Sequence, residues 1–378
     1  MLLVFLAVVL FITGATLSRR VDVSISLAAG AAAYGVAAFG PGVLAATAAA
    51  FNTSMAYVLT SLIFAMALGF LLREQKTRIA SGLSALGARA AAFAIPAAIG
   101  LLPMPGGAYI SAVVVDPLYD KMGLKSHQKT FLNYWMRHIW IPVWPLFQGV
   151  LITAAVLGVS VWQVVEWAWP GALFAVAAGV AVAASLVKPV PVAGDPRDLT
   201  ALWPLAAVAA LSFLVPLPLA VATVYLAYVV VNKVGRDQLA ASLKYALNPR
   251  ILAIIVFSLV FAQYIKESGL GAQLAQALGP YSGLAVFLIP FAVGLATGVE
   301  FTFAGLAFPP ISSLIHGPAL ALAFAGGFLG VMLSPAHSCL VLTREYYQAD
   351  VGQVYRLLAK AAAAVVALSA AYYVLIFY

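Results

Sequence analysis

Apolar runs separated by short polar or glycine- and proline-rich breaks fill this chain from end to end. The first lie at 2–17, 23–39 and 43–72, the third with a break near Asn52. An amphipathic stretch at 74–88 leads into two short apolar segments, 89–102 and 107–116. A connector with Lys121, Lys125 and Lys129 precedes a long segment at 130–158. The stretch from Val161 to Trp169, with three tryptophans, has the aromatic content of a membrane boundary, and 170–187 spans. A polar linker at 188–198 carries three prolines and divides the chain. The second half reads 200–216, 217–232, 249–265, an amphipathic 268–279, the pair 281–298 and 301–315, a segment at 318–347 broken at Ser334-Pro335, and 353–377.

The halves correspond element by element. Phe93-Ala-Ile-Pro-Ala-Ala-Ile-Gly-Leu101 and Phe287-Leu-Ile-Pro-Phe-Ala-Val-Gly-Leu295 share six of nine positions, 194 residues apart. Each runs into a break, Pro103-Met-Pro-Gly-Gly107 and Ala296-Thr-Gly-Val-Glu300. Repeated, interrupted apolar segments are the sequence mark of a secondary transporter's binding site. The expected fold is an all-α polytopic membrane protein of two inverted repeats, each with about five spanning helices and one re-entrant hairpin. Repeat 1 covers 1–187, with a hairpin at 89–116 and a broken helix at 130–158. Repeat 2 covers 199–378, with a hairpin at 281–315 and a broken helix at 318–347. Ordinary short spans in place of the hairpins are the competing reading.

Composition agrees with a lipid solvent. The chain is 64% hydrophobic and 8% charged, with a mean hydropathy of +1.05, against about a quarter charged in soluble domains. The first apolar run has no basic stretch before it, so it reads as a retained helix rather than a cleaved signal. The single Cys339 excludes an internal disulfide framework.

Five crossings per half invert the second repeat, and the basic residues test that count. With the N-terminus outside, cytoplasmic loops hold Arg19, Arg20, Arg73, Lys76, Arg78, Arg89, Lys121, Lys125, Lys129, Lys188, Arg197, Lys233, Arg236, Lys244 and Arg250. Only Lys266 lies outside. This is the positive-inside bias. It accounts for the net charge of +8 without nucleic acid.

Ionisable groups inside apolar segments are functional candidates because burying them is costly. Glu300 follows Thr297 and Gly298 at the second hairpin tip. It is the candidate coupling group for H⁺ or Na⁺, with Thr302 beside it; a structural ion pair is the alternative. Asn133, Arg137 and His138 share roughly one helix face before Pro142. Arg137 could bind an anion through two parallel hydrogen bonds or snorkel to the interface. Ser334, His337 and Ser338 surround the break in the second half, and His337 stands 199 positions after His138. At the first tip Pro105, Gly106 and Gly107 offer backbone rather than charge. Asp116-Pro117 reads as a helix stop, and His127 and His316 as loop residues.

Leu102-Pro-Met-Pro-Gly-Gly-Ala108, Asn133-Tyr-Trp-Met-Arg-His-Ile-Trp140 and Ser334-Pro-Ala-His-Ser-Cys-Leu-Val-Leu-Thr343 resemble an uncharacterised prokaryotic membrane family grouped with the ion transporter superfamily of gluconate, citrate, dicarboxylate and arsenite permeases. The resemblance implies an inverted-repeat fold in the cell membrane. It also implies a scaffold part, a moving transport part and a homodimer. Neither tip carries the Ser-Asn-Thr of the dicarboxylate branch.

The expected function is secondary active transport of a small organic anion with alternating, elevator-type access and H⁺ or Na⁺ coupling, without a cofactor. A metal-cation transporter using Glu300, His138 and His337 is the alternative. A passive channel or an intramembrane enzyme fits less well: there is no His-Glu-x-x-His motif.

Overall fold

The computed structural model describes residues 1–17, 21–102 and 107–377. It contains nineteen α-helices and no strand among the described residues. In the first half these are α1 (Leu2–Leu17), α2 (Val23–Phe39), α3 (Val43–Ala50), α4 (Thr53–Leu72), α5 (Lys76–Ser84), α6 (Ala88–Gly100), α7 (Gly107–Lys121), α8 (Ser126–His138), α9 (Gln148–Leu157) and α10 (Val161–Ala183). In the second they are α11 (Trp203–Leu211), α12 (Leu217–Val231), α13 (Arg236–Ala246), α14 (Pro249–Glu267), α15 (Leu270–Leu278), α16 (Ser282–Thr297), α17 (Ala319–Leu333), α18 (Ser338–Tyr347) and α19 (Val351–Phe377). Five helical stretches are long and apolar enough to cross a membrane, or seven if two bent pairs each count as one span. Leu3, Leu10, Ile25, Leu44, Leu219, Val230 and Leu375 point outward, as a lipid-facing surface requires.

Local chemistry explains the boundaries. Asn52 starts α4 by accepting from Ser54 N at 3.0 Å and Met55 N at 3.2 Å. Asn248 starts α14 in the same way, accepting from Arg250 N at 3.0 Å and Ile251 N at 3.3 Å, with Pro249 at the first helical position. Such caps satisfy amides that a helix start leaves over. Gly158, at φ +69°, ends α9 in the left-handed conformation that glycine adopts freely.

Several sequence expectations need correction. Val161–Ala183 is one continuous helix carrying Pro170, so the tryptophan stretch is not a separate interfacial segment. Asp116-Pro117 does not stop α7, which runs on to Lys121. Lys129 of α8 binds Asp116 at 2.6 Å and Asp120 at 2.5 Å, holding that last turn in place. His127 lies in the first turn of α8 rather than in a loop. The polar stretch 236–246 forms α13, which carries no long apolar run. The arm at 301–315 is not an α-helix. It is a π turn, Phe303–Ala307, followed by a 3₁₀ turn, Pro309–Leu314; Pro309 and Pro310 cannot donate to an α-helical ladder.

The packing between the halves is reciprocal. α2 packs on α14, and α12 packs on α4. α3 meets α14, and α13 meets α4. α10 lies against α17, and α19 against α8. α18 meets α7, and α9 meets the π turn. Glycines set the closest approaches. A Cβ at Gly100 would strike the Arg137 carbonyl, and Cβ atoms at Gly326 and Gly330 would strike the Phe287 and Phe291 carbonyls. Small residues at such points let membrane helices touch backbone to backbone.

Candidate functional site

Both broken helices deliver ionisable side chains to one place. α8 ends at His138, and the chain makes tight turns through 139–147 before α9 begins. α17 ends at Leu333, and α18 restarts at Ser338 after a bend of 42°. The turn that follows α16 is laid across this second break. Gly298 sits there at φ +64°, and a Cβ on it would lie 2.7 Å from His337 N and 2.9 Å from Ser334 Oγ. The Thr297 and Thr302 hydroxyls meet at 2.5 Å and clamp the turn.

His138 Nε2 lies 3.6 Å from Glu300 Oε1 and 3.4 Å from Arg137 Nη1. Arg137 Nη1 also reaches Cys339 Sγ at 3.9 Å. The His138 and His337 rings meet edge to face with centroids 4.9 Å apart. His138 Nδ1 lies 2.6 Å from the Tyr134 carbonyl. His337 Nδ1 lies 3.2 Å from the Val331 carbonyl and 3.2 Å from the Tyr134 hydroxyl. Arg137, His138 and His337 are buried. Arg137 is the twelfth residue of α8 and 3% exposed, so its side chain turns inward rather than to the outer surface of the bundle.

A cavity of about 690 Å³ opens onto part of this cluster; His138 is buried and is not among its lining residues. Its floor includes Arg137, Glu300, His337 and Cys339. Its mouth holds Asp22, Asn248 and Arg250, where the exposed Arg250 guanidinium pairs with Asp22 at 2.7 Å. The starts of α9 (Phe147, Gln148) and α18 (His337, Ser338) also line it, and no side chain caps either start. A second cavity, about 260 Å³, lies at the far ends of the same helices, between Ala155–Gly158 of the α9 end and Leu259–Lys266 of α14. Asn52, Ser312 and His316 complete its wall.

The expected site residues divide clearly. Arg137, His138, Glu300 and His337 converge, and Thr297, Gly298 and Ser338 line the same cavity. Asn133 does not face it. Asn133 accepts from Ser111 Oγ at 2.6 Å and donates to the Ala108 carbonyl at 3.0 Å, tying α8 to the start of α7. Thr302 is occupied by Thr297 and by the Val299 carbonyl. Ser334 Oγ accepts from Ala336 N, so it shapes the break. Gly107 is the buried first residue of α7. Pro105 and Gly106 lie outside the described residues. Sequence reasoning missed Cys339 and Tyr134. One signal was available for Cys339: it stands two residues after His337 at the restart of a broken helix.

The chain belongs to the family described as protein of unknown function (DUF401), whose model matches residues 1–376. No curated protein sequence matches it significantly.

Proposed function

We propose that this DUF401 chain is a secondary active transporter of a small organic anion. The observation that carries the reading is the shared lining of the larger cavity. The Arg137 guanidinium and two helix starts without side-chain caps, those of α9 and α18, face one space. Helix starts carry partial positive charge and aim N–H groups outward. Guanidinium adds a planar fork that matches a carboxylate. α9 and α18 occupy corresponding places in the two halves, so both repeats supply an equivalent half of the anion cradle.

Glu300 is the coupling group in this reading. It faces His138 across 3.6 Å, so a proton or Na⁺ taken up there changes the charge beside the anion. The reciprocal packing across the halves supports two inverted repeats, as a two-fold relation makes each contact recur with the halves exchanged. Under the positive-inside orientation, with the N-terminus outside the cell membrane, the mouth at Asp22 and Arg250 opens to the cytoplasm. The smaller cavity at Lys266 then lies on the outer side. The hairpins and broken helices form the moving body, and α2–α4 with α12–α14 form the scaffold. Scaffold contact between two chains in a homodimer completes the arrangement.

The test is a thermal-shift screen of the purified protein against carboxylates, inorganic oxyanions and neutral analogues. A ligand that binds only the folded state raises its stability, by about 2.7 kcal/mol at a hundred times its Kd. Stabilisation by a carboxylate, lost in Arg137→Gln, is the expected result. Stabilisation only by neutral solutes or alkali cations overturns the anion reading.

A further inference from the structure

We infer that His138, Glu300, His337 and Cys339 form a binding site for a divalent transition metal of the zinc class. One donor atom from each of the four lies within 4.8 Å of the others. Zinc holds nitrogen, oxygen and sulfur donors at about 2.0–2.3 Å, which sets tetrahedral donor–donor separations near 3.3–3.7 Å. The His138 Nε2–Glu300 Oε1 distance, 3.6 Å, already has that value. With every separation within 4.8 Å, the remaining donors need to draw in by at most about one ångström.

Both imidazoles are prepared in the way metal-ligating histidines are. Each places Nδ1 against a main-chain carbonyl, Tyr134 O for His138 and Val331 O for His337. With Nδ1–H donating there, each Nε2 carries a lone pair; that of His138 faces Arg137 Nη1 at 3.4 Å, a contact the metal would replace. Charge also balances: M²⁺ with one thiolate, one carboxylate and two neutral imidazoles sums to zero. Arg137 is not a ligand. Its guanidinium lies beside Cys339 Sγ at 3.9 Å, and it keeps its own charge after the metal binds. Two nitrogens, one oxygen and one sulfur select zinc, cobalt or nickel over Mg²⁺ and Ca²⁺, which require oxygen. The donors come from α8, the turn that follows α16 and the α17–α18 break, so a bound ion would tie those three segments together.

Cobalt is the probe. Purified full-length protein, stripped with a chelator, is titrated with Co²⁺ and followed by absorption. Expected are tetrahedral visible bands and a near-ultraviolet thiolate band, saturating at one ion per chain and displaced by Zn²⁺. Cys339→Ser should lose the near-ultraviolet band, and Glu300→Gln should weaken binding at least tenfold. Arg137→Lys should keep both band sets. Folded wild-type protein without these bands overturns the site, as does a near-ultraviolet band that survives in Cys339→Ser. Metal binding and anion binding are read separately. Absent bands with carboxylate stabilisation intact would remove the metal site alone, and the reverse outcome would remove the anion reading alone.

Discussion

Arg137→Lys separates charge from shape at the centre of the cavity. The substitution keeps a cation in α8 and removes the fork. In the structure the guanidinium has His138 Nε2 at 3.4 Å and Cys339 Sγ at 3.9 Å among its neighbours, and it lines the space where an anion would sit. A guanidinium offers a carboxylate two parallel hydrogen bonds, whereas an ammonium acts as a point charge. A hydrogen bond to a charged group contributes about 1.5–3 kcal/mol. Losing one of two therefore weakens binding roughly 10- to 150-fold, while the long-range attraction of the charge remains. Isothermal titration with the stabilising carboxylate measures the change directly. The unfolding midpoint of each variant, taken without ligand, shows whether the fold survives. Equal affinity in Arg137→Lys and wild type, both folded, would refute the reasoning and take Arg137 out of the site.

Glu300→Gln is expected to keep carboxylate binding and counterflow but to lose gradient-driven accumulation in reconstituted vesicles; undiminished concentrative uptake would move the coupling group elsewhere. Gly298→Ala forces a side chain onto a left-handed residue, costing about 1–2 kcal/mol. It also drives a Cβ to 2.7 Å from His337 N, so both the unfolding midpoint and carboxylate affinity should fall. Ala193→Cys in a Cys339→Ala background should be labelled by an impermeant thiol reagent only in opened cells; labelling from outside would invert the proposed topology. The Asp198 carboxyl is held below its usual range, first by the Ser81 hydroxyl and then by Arg78, which it meets at 3.0 Å. Because its folded value is depressed, this tether is present at neutral pH and fades as pH falls through that value. Asp198→Asn should therefore speed proteolysis of the linker at neutral pH.

The parts of the fold that follow from apolar length and from punctuation were legible in the sequence. The break near Asn52 and the segment beginning at 249 fall at two helix starts, which the structure shows capped by Asn52 and Asn248, and Ser334-Pro335 marks a break that the structure contains. The arm after Glu300 was not legible, because its apolar content fits any buried backbone and only Pro309 and Pro310 deny it an α-helix. In the site, Arg137, His138, Glu300 and His337 were visible because charge in an apolar segment needs a reason. Asn133 misled for the same cause, since a buried amide binding Ser111 and Ala108 looks in sequence like one binding a ligand. Cys339 was read only as a lone cysteine and given no place in the site, because a thiol costs little to bury and only its position beside Arg137 and the imidazoles singles it out.

The exchanged helix contacts have a consequence for how the chain is made. α4 leaves the ribosome long before α12 and α13, the helices that cover it, and α2 before α14. Once inserted, the first half must wait in the bilayer with these faces turned to lipid or to an insertion factor. A truncation at the linker would leave them so permanently. The partners of the earliest helices are among those synthesised after the linker, so assembly of this protein ends where its translation does.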